Sequence, residues 1–246
     1  MTGMLASVAS FEEAKIALKH KVDIIDLKNP RLGVLGQLDK EIISSVVGLV
    51  NNRIPVSATI GDVEPNDPKL SNRIIKTANL GVDFVKVGLF NKKASDYFIT
   101  KINECSKKNI NIIIVLFAEN IVNIDLLDSL MNSNIRGIML DTKSKSNHSL
   151  RSIMKYKTLN QFIKLAKSYN LITGLAGSLK IEDIEKLTPL KPDYLGFRGA
   201  LCTKRDRVNI IDDSAVKAIR DVLLKKNIVN YKNVINEGVI INGTVA

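Results

Sequence analysis

The chain of 246 residues contains little of what metal sites and disulfide-bonded scaffolds require. It has no tryptophan, two cysteines and two histidines, and aromatic residues make up only 5% of it. Cys105 and Cys202 are isolated, so they indicate no disulfide framework and agree with a reducing compartment. Neither the cysteines nor the histidines show the close spacing of zinc ligands. The sequence therefore predicts no metal site, and we expect no cofactor.

Long apolar runs are absent as well. No stretch of about 18 apolar residues occurs, so the sequence predicts no membrane span. The first residues have neither the basic region nor the apolar region of a secretory signal peptide. Hydrophobic residues at 45% and charged residues at 25% are typical of a globular domain. We therefore expect a cytoplasmic protein without a membrane partner.

Positive charge is in clear excess. Lysine and arginine number 36 and aspartate and glutamate 25, which gives a formal net charge of +11. Nucleic-acid binding is one interpretation, but the basic residues are scattered and not interleaved with aromatic residues in one arm. A solvated basic surface is the simpler interpretation, and a positive field also attracts phosphorylated substrates. We expect a phosphorylated small molecule as the partner and no nucleic acid, and the sequence leaves open whether the chain forms a homo-oligomer.

Short apolar runs alternate with amphipathic stretches from one end of the chain to the other. The runs that predict strands are residues 5–9, 23–28, 55–61, 84–89, 111–117, 137–141, 172–176 and 194–198. The amphipathic segments between them predict helices, the first of which follows a Ser-x-x-Glu capping box that begins at Ser10. Eight strand–helix pairs favour a closed (β/α)8 TIM barrel, an α/β fold, over an open doubly wound sheet.

Two helical predictions concern the second half of the chain. The stretch between the sixth and seventh strands predicts one long helix that ends near residue 169, and the last helix is predicted over 214–225. Residues 1–227 are expected to form a single barrel domain. Residues 228–246 lack a helical pattern and form a C-terminal extension to which the sequence assigns no role.

Two lysines lie within or at the end of predicted strands, where an ammonium group is costly to bury. Lys28 ends the second strand, and Lys86 lies inside the fourth. Asp26 precedes Lys28 by two residues, so both side chains share one face of the strand. A structural ion pair is one interpretation. The other is an amine that attacks a carbonyl carbon and forms a Schiff base.

The active site of a (β/α)8 barrel gathers at the carboxyl ends of its strands. This rule places Asp141, from the end of the sixth strand, and Lys145, from the loop after it, on the same rim as the two strand lysines. More amines and carboxylates converge there than a packing role requires. The pattern favours class I aldolase chemistry, in which a strand lysine forms the Schiff base.

Glycine-containing turns follow the seventh and eighth strands, where barrels often bind a phosphate through backbone N–H groups. The predicted phosphate-binding residues are Gly177, Ser178, Arg198, Gly199 and Ala200. Arg198 would add a charged fork to the backbone donors. Two ordinary glycine turns are the alternative interpretation.

Several motifs in series resemble the (5-formylfuran-3-yl)methyl phosphate synthases of methanofuran biosynthesis. They are Asp-Ile-Ile-Asp-Leu-Lys-Asn-Pro (23–30), Val-Ser-Ala-Thr-Ile-Gly-Asp-Val (56–63), Val-Lys-Val-Gly-Leu (85–89), Met-Leu-Asp-Thr-x-x-Lys (139–145), Leu-Ala-Gly-Ser (175–178) and Gly-Phe-Arg-Gly-Ala (196–200). The resemblance covers residues 4 to about 226. One departure is Asn-Ile-Ile-Asp (209–212), where the family tends to have Gly-Arg-Ile-Asp, which puts one phosphate contact in doubt.

The resemblance implies a (β/α)8 barrel and a reaction that joins two molecules of glyceraldehyde 3-phosphate with loss of phosphate and water. It also implies residue roles: Lys28 is the Schiff-base lysine, Lys86 the proton acceptor, and Asp26, Asp141 and Lys145 are further catalytic positions. Two alternatives remain at this stage. One is another class I aldolase acting on triose phosphates, and the other is a non-catalytic barrel that binds nucleic acid.

Overall fold

Eight parallel strands close into a barrel in the order in which they occur along the chain. The computed structural model describes residues 1–121, 127–143 and 149–242, and side chains as far as residue 228. The strands are β1 (Gly3–Val8), β2 (Ile24–Leu27), β3 (Val56–Thr59), β4 (Phe84–Leu89), β5 (Ile112–Phe117), β6 (Gly137–Asp141), β7 (Ile172–Leu175) and β8 (Tyr194–Phe197). β8 pairs with β1, so none of these eight strands is an edge strand. The predicted (β/α)8 barrel is confirmed.

Helices follow the strands and surround the barrel. Within the described ranges they are α1 (Phe11–Lys19), α2 (Lys40–Val50), α3 (Leu70–Ala78), α4 (Asp96–Ser106), α5 (Asp128–Met131), α6 (Leu150–Ile153), α7 (Tyr156–Ser168), α8 (Ile181–Leu187) and α9 (Asp213–Asn242). None of these helices is both long enough and apolar enough to cross a membrane. Their apolar faces pack on the outer faces of the strands and form the main core.

Two helical predictions were wrong. The single helix predicted to end near residue 169 is two helices, α6 and α7, because Met154 between them is extended (φ −113°, ψ 129°). This break keeps Leu150 and Met154 buried while α7 turns its own apolar side towards the barrel. The last helix does not end near residue 225 but continues to Asn242, so residues 228–242, which were expected to lie outside any helix, belong to α9. No proline and no glycine before Gly238 stops it.

The capping box predicted at the start of α1 forms only in part. The Ser10 hydroxyl accepts a hydrogen bond from the Glu13 backbone N–H (3.2 Å), as a helix N-cap should. The Glu13 carboxylate accepts from the backbone N–H of Ala9 (2.7 Å) instead of closing the box at Ser10. It also forms a buried ion pair with Arg198, which follows β8. Helix α1 thereby supplies an anion to the loop after β8.

The barrel interior contains both apolar and charged side chains. A cluster of apolar side chains packs inside it: Leu5, Ile24, Ile113, Met139 and Ala176, with Phe84 and Tyr194 against them. Charged side chains lie towards the carboxyl ends of the strands, among them Lys28, Lys86 and Asp141. Because alternate residues of each strand face the interior, both kinds of side chain share it, and Leu5, Met139 and Ala176 line the same cavity as the charged groups.

Candidate active site

A buried carboxylate lies among the charged side chains of the barrel interior. Ser7, Asp26 and Ser57 occupy matching positions on β1, β2 and β3, so their side chains form one row. The Ser7 hydroxyl donates to Asp26 Oδ2 (2.9 Å) and the Ser57 hydroxyl donates to Oδ1 (2.7 Å). Asp26 has no solvent exposure. Two hydroxyl donors therefore compensate part of the cost of burying this carboxylate.

Lys86 supplies the charge that pairs with Asp26. Its Nζ lies 3.0 Å from Asp26 Oδ1, and the side chain is 4% exposed. Burial by itself raises the pKa of Asp26, but the charges of Lys86 and Lys28 and the hydrogen bond from Ser57 outweigh it. The pKa of Asp26 is consequently lowered below its ordinary value. Asp26 is an anion at neutral pH, so it supplies negative charge to the two amines and is unsuited to donate a proton.

The second amine lies beside the second aspartate. Lys28 Nζ is 3.6 Å from Asp141 Oδ2, and both side chains are almost fully buried. Asp141 ends β6, and its Oδ1 accepts a hydrogen bond from the Thr142 backbone N–H (2.7 Å). Lys28 follows β2 directly, and its own backbone N–H continues the sheet by donating to the Val8 carbonyl (3.1 Å). Rigid strand ends thus position both members of the pair.

One cavity of about 880 Å³ connects these groups with the loops after β7 and β8. Lys28, Lys86 and Asp141 line it, whereas Asp26 is fully buried and is not among the residues that line it. The predicted residues of the strand ends are therefore brought together at one site. Lys145, the remaining predicted catalytic residue, lies outside the described residues.

The two predicted phosphate turns also face this cavity. Gly177 has φ +106°, and a Cβ atom there would lie 2.6 Å from Thr142 Cγ2, so only glycine fits without strain. Gly199 and Ala200 open a short 3-10 helix, Gly199–Leu201, so their N–H groups have no acceptor within that helix. These backbone groups are oriented by the fold and suit an anionic ligand.

Arg198 lies at this turn, but its side chain is already saturated with acceptors. Its guanidinium donates twice to Glu13, and to the backbone carbonyls of Arg207 (Nε, 2.8 Å), Ser7 (Nη1, 3.2 Å) and Asn209 (Nη2, 2.9 Å). These bonds use all five N–H donors of an arginine side chain. The charged fork predicted for a phosphate is therefore directed at the protein, and Arg198 instead holds the strand-eight loop in place.

One side of the barrel mouth is closed by apolar side chains. Leu35, Val115 and Phe117 are fully buried and pack with Val34 and Phe90 over the ends of β4 and β5. The Phe90 and Phe117 rings are in contact, with 4.8 Å between their centroids. The loop that carries Leu35 is held by backbone hydrogen bonds to the Asp62 carboxylate. Among the described residues, the cavity extends instead towards the loops after β7 and β8.

Sequence reasoning did not single out three residues that build this site: Ser7, Glu13 and Arg207. Alternation along β1 could have placed Ser7 on the interior face. The capping-box motif predicted a role for Glu13 at the start of α1 but not its ion pair with Arg198. Arg207 lies in an irregular loop, where no periodic pattern indicates direction, yet it lines the cavity.

Known sequences that share one named activity match nearly the whole chain. The profile of the 4-HFC-P synthase family matches residues 4–220. The (5-formylfuran-3-yl)methyl phosphate synthase of Methanosarcina barkeri is 34% identical over 227 residues, which cover 88% of this chain and 97% of that protein. A Methylorubrum extorquens protein that bears the same name provisionally is 37% identical over 221 residues, 88% of this chain and 91% of its own length.

Solved structures with low sequence identity share the fold. Phosphoribosyl anthranilate isomerase from Thermus thermophilus superimposes with a TM-score of 0.66 at 11% identity, over 92% of this chain and 99% of that chain. A 3-hexulose-6-phosphate synthase superimposes with a TM-score of 0.59 at 16% identity, over 89% of this chain and 99% of that chain. At such identities the likeness concerns the barrel architecture alone.

Proposed function

Because the chain belongs to the 4-HFC-P synthase family, an enzyme family, we propose that it makes (5-formylfuran-3-yl)methyl phosphate from two molecules of glyceraldehyde 3-phosphate. The atoms balance when one phosphate and two water molecules leave. The product is a precursor in methanofuran biosynthesis. The observation that carries the proposal is the pair of buried amines, Lys28 and Lys86, which line one cavity, each within ion-pair distance of an aspartate.

The proposed reaction begins at Lys28. Its neutral amine attacks the aldehyde carbon of the first triose phosphate, and loss of water gives an iminium ion. The iminium group draws electrons from the adjacent C–H bond and makes that carbon acidic. Asp141, whose Oδ2 lies 3.6 Å from Lys28 Nζ, is proposed to take and return protons during this dehydration.

Lys86 is proposed to accept the proton from the acidic carbon. In its neutral form it takes the proton, and the Asp26 anion at 3.0 Å stabilises the ammonium group that results. The enamine left on Lys28 expels the phosphate from the next carbon, which leaves an enol whose terminal carbon is nucleophilic. The substitution pattern of the furan requires this carbon to attack the keto carbon of a second triose phosphate, which forms from the aldehyde by proton transfer. Ring closure, loss of water and hydrolysis from Lys28 complete the reaction.

The phosphate groups require donors at the rim of the cavity. The backbone N–H groups of Gly177, Ser178, Gly199 and Ala200 are proposed to bind one of them, as the glycine turns of barrels do. Arg198 contributes by fixing the position of this turn. Lys145, from the loop that follows β6, remains proposed as a phosphate-handling residue on the strength of the family motif.

Borohydride trapping tests the Schiff base directly. Wild-type protein incubated with glyceraldehyde 3-phosphate and borohydride should gain the mass of one reduced triose adduct at Lys28, and Lys28→Ala should gain none. Unreduced wild type should release free phosphate together with a furan chromophore. Adduct formation in Lys28→Ala overturns the assignment. A reversible sugar phosphate without phosphate release indicates a class I aldolase instead, and salt-sensitive DNA binding without turnover indicates the nucleic-acid interpretation.

A further inference from the structure

Three arginines line the cavity, and they differ in burial and in how many of their donors are used. Arg205 is exposed to solvent, and Arg198 has acceptors for all five N–H groups. Arg207 is half-buried, and among the described residues its guanidinium donates only to the Gly33 carbonyl, through Nη2 (2.9 Å). Within the part of the chain that the structure describes, no side-chain nitrogen atom of Arg207 is buried without a partner, so its unused N–H groups are accessible from the cavity and available to a ligand. Arg207 is therefore the arginine in this cavity that is best prepared to bind an anion.

The position of Arg207 is set by other parts of the site. Its backbone carbonyl accepts the Nε–H of Arg198 (2.8 Å), so the buried Glu13–Arg198 pair anchors it. Its side chain extends from the loop after β8 to Gly33, in the loop after β2 that also follows Lys28. The guanidinium thus spans the mouth of the barrel from one loop to the other.

The charged groups near Arg207 include carboxylates of the active site. Burial lowers its pKa, the charge of Asp141 opposes that effect, and the charge of Arg198 adds to it. The charge of Asp62, whose carboxylate accepts hydrogen bonds from the loop after β2, also opposes the lowering of the Arg207 pKa. Arg207 is thus electrostatically coupled to Asp141, the carboxylate beside the proposed Schiff-base lysine.

The proposed reaction brings two phosphate groups into one cavity, and a single pair of glycine turns accounts for one. We propose that Arg207 binds the phosphate of the second triose phosphate, the carbonyl acceptor attacked by the enol formed on Lys28; this inference rests on the proposed function. A guanidinium can bind a phosphate through two parallel N–H donors. Arg207 is then a substrate-positioning residue that selects a phosphorylated acceptor.

Comparison of Arg207→Gln with Arg31→Gln tests this role. Arg31 is an exposed residue of the loop after β2, the loop that Arg207 contacts through Gly33, and it does not line the cavity. Arg31→Gln therefore removes the same charge as Arg207→Gln but leaves the site unchanged. Arg207→Gln should raise the KM for condensation by about tenfold or more, the cost of one charge-assisted bidentate contact, with kcat changed far less. Arg207→Lys should recover part of the loss because it keeps the charge but not the fork. Arg31→Gln should resemble wild type.

Two further measurements separate binding from folding. Borohydride trapping of the first triose phosphate at Lys28 should remain unchanged in Arg207→Gln, because this step needs only one substrate molecule. Inorganic phosphate, measured by titration calorimetry, should bind more weakly to Arg207→Gln than to Arg31→Gln. Loss of trapping together with condensation, or a KM equal to that of wild type, overturns the proposal.

The same data distinguish failure of this inference from failure of the proposed function. If wild type gives neither a trapped adduct nor a furan, the proposed function is wrong. The phosphate titration then decides the role of Arg207 alone, since equal phosphate affinity in Arg207→Gln and Arg31→Gln contradicts it.

Discussion

Lys86 Nζ lies 3.0 Å from Oδ1 of Asp26, a carboxylate without solvent exposure. The aspartate is in turn hydrogen-bonded by hydroxyls from the strands on either side of it. Neither member of the pair can lose its partner without leaving a charge or a polar group buried in the barrel. The pair therefore has a structural consequence and a chemical one, and the two can be measured separately.

Asp26→Asn should destabilise the protein because it leaves the Lys86 ammonium without a buried counter-charge. Breaking a buried pair in this way costs on the order of 3 kcal/mol in the free energy of unfolding. Ser57→Ala, which removes one hydrogen bond to the same carboxylate, should cost only about 1 kcal/mol. Urea denaturation measures both. Equal losses in the two variants would show that the charge pair contributes nothing beyond a hydrogen bond.

The stability of the protein should fall in acid through Asp26. Its pKa in the folded state is lowered from the ordinary value of 3.8. The contribution is therefore complete above the pKa of the unfolded chain, about 4, and is lost as the pH falls through the folded-state pKa. Unfolding free energies of wild type should decrease over this acid range more steeply than those of Asp26→Asn. Parallel curves for the two proteins would contradict the lowered pKa.

Lys86→Met should separate Schiff-base formation from proton transfer. The variant retains Lys28, so borohydride should still trap the first triose phosphate. Exchange of the proton next to the carbonyl carbon with deuterated water, followed by NMR, should be slower by about 100-fold or more because the general base is missing. Unchanged exchange in a variant that still traps substrate would assign the proton transfer to another group.

Glu13→Gln should loosen the loop after β8 although Glu13 lies on α1. The substitution breaks the buried pair with Arg198, at a cost on the order of 3 kcal/mol, and frees the loop that carries Arg207. Glu12→Gln is the matched control, since Glu12 is the preceding residue and forms an exposed pair with Lys15. Thermal unfolding should detect a loss for Glu13→Gln only, accompanied by a higher KM. The same Tm for both variants would show that the Glu13–Arg198 ion pair does not stabilise the loop after β8.

Gly177→Ala should be destabilising, and Gly48→Ala should not. At Gly177 the backbone has φ +106° and the new methyl group meets Thr142, so the cost should exceed about 1 kcal/mol. Gly48 lies within α2 and has open space where the alanine methyl group would lie, so alanine there should stabilise the helix by about 0.5–1 kcal/mol. Opposite signs in chemical denaturation are expected, and like signs would contradict the structure of the turn.

The sequence was informative where side-chain periodicity or motif spacing carries structural meaning. β4 and β6 have the predicted bounds, because short apolar runs with clear ends determine them. Lys28, Lys86 and Asp141 were placed on one rim because strand ends of a barrel converge. The break at Met154 and the continuation of α9 depend on packing and on the absence of stop signals, which local propensity does not resolve.

The pairing of charges could not be predicted from spacing alone. Asp26 stands two residues from Lys28 and was expected to act with it, yet its ion pair is with Lys86 on β4, and Lys28 pairs with Asp141 on β6. The change of partner arises because barrel strands are staggered along the axis. In the strand register Asp26 pairs with Ser57, whereas Lys86 pairs with Thr59, two residues further along β3. The stagger compensates this offset and brings the Lys86 and Asp26 side chains together. The hydrogen bonding of Arg198 and Arg207 could not be predicted either. Only the fold shows that the N–H donors of Arg198 are all used and that, within the described residues, most of those of Arg207 are not.

The apolar cluster of Leu35, Val115, Phe117 and Phe90 covers one side of the carboxyl end of the barrel. These side chains offer no hydrogen bonds to a charged group, so they disfavour a phosphate on that side. A phosphorylated ligand is therefore expected to bind in a fixed orientation, with its phosphate towards the turns after β7 and β8.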